Sequence, residues 1–301
     1  MKRLLLPTLL LAALFVNTAA QAALNVLACE PEWGALVAEL AGDKARINIA
    51  TTPRQDPHHI EARPSLIARA RNADLLVCNG AELEIGWLPL LQRESGNTRI
   101  QPGQPGWFEA AHYVDLIEKP EHLDRSAGDV HAAGNPHFHG DPRNILPVAT
   151  ALAARLAEID AANAAHYQHR LADFRQRWQT ALAHWAQRAA PLKGVPVAVQ
   201  HKNWSYLLRW LGMEAVVDLE PKSGVEPSAA YLAEVVQRLR QTPARMVLRA
   251  SYHSPRPARW VAQHSGIPAV ELPFTVGASE GAGDLFGLYE DIIERLLGAL
   301  P

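Results

Sequence analysis

Apolar positions along the chain follow two alternating rhythms. Short continuous apolar runs, such as LNVLAC, RINIATT and DLLVC, are bounded by turn residues and read as buried strands. Between them lie longer segments with apolar residues three and four apart. In PEWGALVAELAGD, Trp33, Leu36, Val37 and Leu40 share one helical face. RPSLIARARNA opens with Pro64 near its start, a favourable first-turn position, and LEIGWLPLLQRESGN ends at Gly96-Asn97, a helix stop. TRIQP is expected to close this first series as a strand. VPVAVQ, EAVVDLE, ARMVLRA and AVELPF repeat the strand rhythm later. The segments WSYLLRWLG, SAAYLAEVVQRLRQT, PARWVAQHSG and DLFGLYEDIIERLLGAL follow them in turn. Strand–helix alternation of this kind predicts parallel sheets with helices on both faces.

Between the two series, residues 142–190 carry a helical pattern with an expected break at Asp160 to Asn163. AANAAHYQHRLADFRQRWQTALAHWAQRAA contains no Gly or Pro and is rich in strong helix formers. Thirty helical residues span roughly 45 Å, enough to brace two lobes and limit hinge motion between them. The expected architecture is α/β, with two lobes, each a parallel sheet flanked by helices, joined by a long linking helix. The expected bounds are residues 23–159, 160–190 and 191–301.

The first 22 residues stand apart. A basic start at Lys2 and Arg3, an apolar run and Ala20-Gln21-Ala22 read as a secretory signal peptide cleaved near Ala22/Ala23. The run is short for a membrane span. Lipidation would need a cysteine directly after it, but Cys29 comes late, past the polar Asn25. A bacterial periplasm is the expected destination. Of the 301 residues 48% are hydrophobic and 20% charged, with a net charge of −2, so nothing basic points to nucleic acid. Cys29 and Cys78 each end a short apolar run. In an oxidising compartment they either bridge or remain two buried thiols.

Candidate chemistry gathers at strand ends, where open α/β sheets bind ligands. His58 and His59 follow RINIATT, His201 follows VPVAVQ, and Glu280 and Asp284 follow AVELPF. GNPHFHGDPRN adds His137 and His139 between two turn-forming stretches, which predicts a rigid loop. Such a loop suits either a bound metal or two solvated histidines. His166, His169 and His184 on the linking segment have no Asp or Cys cluster beside them and read as ordinary helix residues. His122, Asp124, Asp129 and His131 occupy a Gly-containing stretch that reads as a solvated loop or as a metal-recruiting one at the cleft mouth.

Two of these stretches carry a resemblance. DPHHIEARPSLIARARNADLLVCNGAELE resembles the segment that opens the first lobe of metal-specific solute-binding proteins of ABC transporters, cluster A-I. NPHFHGDPRN resembles their second signature, with His139 in a usually aromatic position. The likeness runs over most of the mature chain, and LPFTVG…DLFGLY is similar to the zinc-binding subgroup. The resemblance implies His58, His137 and His201 as ligands. It implies an Asp from the last strand-to-helix loop as the fourth. Val276 stands where many relatives have that Asp, so Asp284 is the expected ligand and Glu280 the reserve. His59 and His139, each beside an implied ligand, are expected to point away. Three imidazoles and one carboxylate suit tetrahedral Zn²⁺, whereas manganese prefers more oxygen. The implied protein is a monomeric, non-enzymatic zinc carrier. Its expected partner is an inner-membrane ABC permease, with a periplasmic metallochaperone as a candidate second partner. Manganese or iron cargo is the alternative. A zinc hydrolase is a further one, though no H-E-x-x-H is present.

Overall fold

A computed structural model describes residues 22–122 and 128–300; the signal-peptide reading and Asp124 fall outside them. Two four-stranded parallel sheets form the frame. The first has the order β2-β1-β3-β4, with β1 Leu24–Ala28, β2 Ala45–Ile49, β3 Leu75–Cys78 and β4 Trp107–Glu109. The second has the order β6-β5-β7-β8, with β5 Pro196–Val199, β6 Glu214–Asp218, β7 Met246–Ala250 and β8 Ala269–Leu272. The two orders are the same pattern, and each puts a topological switch beside its first strand. Ligand clefts form at the carboxyl ends of strands at such a point.

TRIQP is not a strand. Thr98–Ile100 forms a 3₁₀ turn, and the edge strand begins later, at Trp107. The Asn97 side chain accepts from the Arg99 amide there, which favours a turn over an extended run.

Helices α1 (Pro31–Ala41), α2 (Pro64–Arg71) and α3 (Leu88–Ser95) start with Pro in the first turn. Gly96 ends α3 in the left-handed region, at φ 63°. In the second lobe lie α6 (Ser205–Leu211), α7 (Ala229–Gln241), α8 (Pro255–Ser265) and α9 (Leu285–Gly298). Serines 228 and 254 cap α7 and α8 by accepting backbone amides.

Between the lobes run α4 (Ile145–Ile159), a 3₁₀ turn at Ala161–Asn163 and α5 (Ala164–Arg188). The long helix is tied to both sides. His166 and Arg170 meet the carbonyls of Ala41 and Glu39 on the first lobe. The Trp185 indole donates to Glu290 on α9 at 2.9 Å. One apolar core runs through the whole molecule. It joins Val26 and Leu75 of the first sheet to Leu152, Phe174 and Trp178 of α4 and α5, then to Leu248, Leu272 and Ile293 of the second lobe. The outer face of each sheet has its own smaller core, around Leu76 and Leu91 in one lobe and Val247 and Val261 in the other. Because successive strand residues face opposite ways, Val26 and Ala28 serve the shared core while Leu27 and Cys29 serve the outer one. Cys29 and Cys78, on that outer face of adjacent strands, form a disulfide. No helix among the described residues is long and apolar enough to cross a membrane.

Candidate metal centre

Three of the histidines singled out in the sequence meet in the cleft between the sheets. Ring centroids are 5.3 Å apart for His58 and His137, 6.2 Å for His58 and His201, and 5.8 Å for His137 and His201. All three are buried. They come from different places: the loop after β2, the loop region between β4 and α4, and the residue pair directly after β5.

Each ring is held. Asp56 accepts from the His58 backbone amide at 3.0 Å, and its same oxygen lies 2.7 Å from His58 Nδ1. The Trp87 indole pins the loop by donating to Pro57 O at 2.9 Å. Glu220, just past β6, sits 2.7 Å from His201 Nδ1 and also accepts the Gly224 amide. In both cases a carboxylate accepts a hydrogen bond from Nδ1–H, which leaves the Nε2 lone pair free. This is how outer carboxylates orient metal-binding imidazoles.

The Pro-His loop that carries His137 is stiff for a visible reason. Asn135 Oδ1 accepts the His137 amide, and its Nδ2 donates to Glu118 and to Lys202 O. Asn79 donates to Pro136 O from the first lobe, and Tyr206 donates to Asn135 O from the second. The Asp141 carboxylate accepts from the Arg143 amide, closing the next turn. His139 belongs to this scaffold. Its Nε2 lies 3.0 Å from Phe274 O, its Nδ1 faces Glu32 at 3.5 Å, and Tyr289 donates to its carbonyl. His59 is exposed beside His58.

Burial favours the neutral form, the one that binds metal, at His137, His253 and His131. Burial, then the nearby His58 and His201 charges, holds His137 well below the usual histidine range. Burial and His201 lower His253 to about 3, and burial and His58 lower His131 to about 4. At Asp56 burial pushes upward, but the hydrogen bonds and charge of His58 outweigh it and bring the carboxyl to about 2. His58 Nε2 and His137 Nδ1 are buried ring nitrogens with no hydrogen-bond partner in the protein. Such orphaned atoms are costly unless something binds them. The donor set therefore fits a divalent cation of the borderline class.

The remaining expectation is corrected. Asp284 does not enter the cleft. It caps α9, with Oδ1 accepting the Gly287 amide at 2.7 Å, and it is exposed. Asp284 and Glu280 line a separate cavity of about 480 Å³ with His184 and Trp185. The Gly-rich loop before Asp284 is tied by its own hydrogen bonds. Gly277 donates to Ala282 O, Ala282 is buried, and the Ser279 hydroxyl donates to Asp291. Where the strand-to-helix loop after β8 does reach the cluster, it brings Phe274, whose ring lies 5.4 Å from His137. His131 is beside His58, at 5.3 Å. His137 and His201 open onto a cavity of about 820 Å³ that continues past Glu220, Asp218, Asp129 and Lys202.

Sequence reasoning missed His253 and Glu220. His253 follows β7 in RASYHSP and its ring lies 5.4 Å from that of His201. No motif surrounds it, but the strand-end rule that located His201, applied to ARMVLRA, reaches it within three residues.

Comparison with known proteins bears on the family and the fold. Residues 26–300 match the family described as zinc-uptake complex component A, periplasmic (ZnuA). The manganese ABC transporter substrate-binding lipoprotein PsaA of Streptococcus anginosus is 23% identical over 85% of this chain and 82% of its own length. The high-affinity zinc uptake system protein ZnuA of Bacillus subtilis is 24% identical over 87% of this chain and 83% of its own. A solved zinc-bound deletion mutant of ZnuA superposes with a TM-score of 0.75 at 22% identity, covering 92% of this chain and 98% of that one.

Proposed function

The chain belongs to the ZnuA family of periplasmic zinc-uptake components, and from that premise we propose that it captures Zn²⁺ in the cleft and hands it to an inner-membrane ABC permease. It is a metal-binding substrate-binding protein of an ABC transporter, not an enzyme. We assign the cargo to His58 and His137 on the first-lobe side and His201 on the second. The observation that carries this reading is the pair of carboxylate-held imidazoles, His58 on Asp56 and His201 on Glu220, converging from opposite lobes on buried His137.

Relatives at similar identity are named for manganese and for zinc, so the zinc reading rests on the donor atoms. Manganese prefers oxygen ligands, and imidazole suits zinc. The two nearest carboxylates are engaged with histidine Nδ1 atoms. That arrangement supports zinc. A site fed by both lobes also supports a carrier function. Export to the periplasm follows the same reading.

The test is direct. Metal-free protein is titrated calorimetrically with Zn²⁺ and with Mn²⁺ at neutral pH. Zinc should bind with a dissociation constant well below about 1 μM and should displace manganese. Preference for manganese at equal concentration would transfer the cargo assignment to that metal.

A further inference from the structure

Three imidazoles leave a tetrahedral ion one donor short, and the loop after β8 offers Phe274 at that side of the cluster. Resting on the zinc reading above, the geometry points to His253 as the fourth donor. The ion is then held by four imidazoles, two from each side of the cleft, with no carboxylate oxygen bound to it directly.

Three observations bring His253 to the His201 side of the cluster with a donor to spare. Donor atoms of His201, Glu220 and His253 all lie within 4.8 Å of one another. The other such group among the described residues, Cys29, Cys78 and Glu84, has its sulfurs consumed in a disulfide. Within the first group Glu220 is already engaged, since one oxygen accepts from both His201 Nδ1 and the Gly224 amide. His253 Nδ1, by contrast, is buried with no hydrogen-bond partner. The residue is also fixed in place. Its amide donates to Ala250 O, its carbonyl accepts from Arg249 Nη1, and its ring lies 4.3 Å from that of Tyr252.

The consequence is a charge distribution with the carboxylates one layer out. Four neutral imidazoles leave the ion its full double charge. Asp56 and Glu220 balance it through the Nδ1 protons of His58 and His201. A site without direct oxygen donors discriminates against manganese by ligand type. His253 is thus a specificity-determining residue as well as a ligand.

The experiment uses the mature full chain, loaded with Zn²⁺ or Co²⁺, and three variants. X-ray absorption of the zinc form should show four nitrogen neighbours, all imidazole. His253→Gln should weaken zinc at least about 10-fold and cost one imidazole from the shell. His253→Asp should keep four ligands, exchange one nitrogen for oxygen, and move the zinc-to-manganese preference toward manganese. His131→Gln should change neither affinity nor spectrum. Wild-type affinity and an unchanged shell in both His253 variants would overturn the assignment. So would loss of an imidazole in His131→Gln. If His58→Ala abolishes zinc binding while His253 is silent, only the fourth donor is lost. If the wild type itself fails to bind zinc, the cargo reading falls and His253 with it.

Discussion

The two lobes share one strand order and put it to different uses. Register pairs the lobes position by position: Ala28 faces Val77 as Val199 faces Leu248. The next positions are Cys29 with Cys78 in the first lobe, and Gln200 with Arg249 in the second. The first pair is a disulfide. In the second, buried Arg249 pairs with Glu271 on the neighbouring strand and donates to the carbonyl of His253. One residue further on, the first lobe has Glu30, buried within its core, and the second has His201, facing the cleft. The edge strands differ the other way. The segment after β4 leads to His137, while the one after β8 presents Phe274. A repeated frame therefore specifies where side chains can reach the cleft. Which of those places carries a donor is decided residue by residue.

The sharpest way to break this comparison is to remove one donor from each lobe. His201→Ala and His58→Ala should each weaken zinc by about 100-fold or more, because losing only an outer partner of a ligand already costs 10–100-fold. Both proteins should stay folded, since the shared core does not include either ring. Calorimetry with thermal melting checks this. A large loss from one lobe only would mean that the ion is carried by a single lobe.

What the sequence made legible follows from how local each signal is. Strand–helix rhythm marked both sheets, because apolar runs and amphipathic faces are properties of neighbouring residues. Turn chemistry marked the loop around His137, because it is local too, while the choice of His58 and His137 over their neighbours came from the resemblance carried by the two Pro-His stretches. TRIQP failed as a strand because a side-chain cap at Asn97, invisible to apolar patterning, took the backbone into a turn. Asp284 failed as an expected cleft residue for a similar reason: an acidic residue before a helix satisfies the cap, and the preceding loop is locked by Gly277, Ser279 and Asp291. Glu220 and His253 depend on how strands from distant parts of the chain align, which no local pattern records.

The disulfide tests how far the first lobe's stability is separate from its site. Cys29 and Cys78 close a loop 49 residues apart in sequence. Replacing both with Ala should cost about 2–4 kcal/mol, or roughly 2–4 °C in melting temperature for each of those kcal/mol. Zinc affinity should shift by less than about threefold, since distant sites act independently. His58 and His137 are held by Asp56, Trp87, Asn79 and Asn135, not by the sulfurs. A parallel loss of affinity would show that the bridge shapes the cleft.

Beside the disulfide, Glu30 and Glu84 give the first lobe a pH dependence of stability. Burial raises both carboxyls, Glu30 further by the charge of Glu84, and Glu84 rises from 4.5 to about 7. The native state thus keeps protons that the unfolded chain has released. The resulting stability is complete below about pH 4.5 and is lost as pH rises through about 7. Glu84→Gln keeps one oxygen, in the place of Oε1, as acceptor for the Asn79 and Gly80 amides and removes the titration. The variant should exceed the wild type by about 1–3 kcal/mol near pH 8 and match it near pH 4.5. Urea melts across that range measure the difference. A gap independent of pH would assign the effect to packing instead.

The smallest effect is expected at Asp284, and it separates cap from ligand. A side chain that accepts an amide at a helix start stabilises by about 1 kcal/mol, and negative charge adds to this at the positive end of the helix. Asp284 does this for Gly287 at 2.7 Å and lines a different cavity from the histidines. Asp284→Ala should therefore lower stability by about 1 kcal/mol and leave zinc affinity as it was. Asp284→Ser, which keeps a cap acceptor but has no carboxylate to offer a metal, should recover most of the loss. A ligand would behave in the opposite way, with Ser as damaging as Ala to zinc binding and little change in melting. If affinity fell in both variants, the loop after β8 would have to open to deliver its carboxylate. That requires breaking the Gly277–Ala282 and Ser279–Asp291 hydrogen bonds and uncapping α9, so binding at this end of the second lobe would have to outweigh all three.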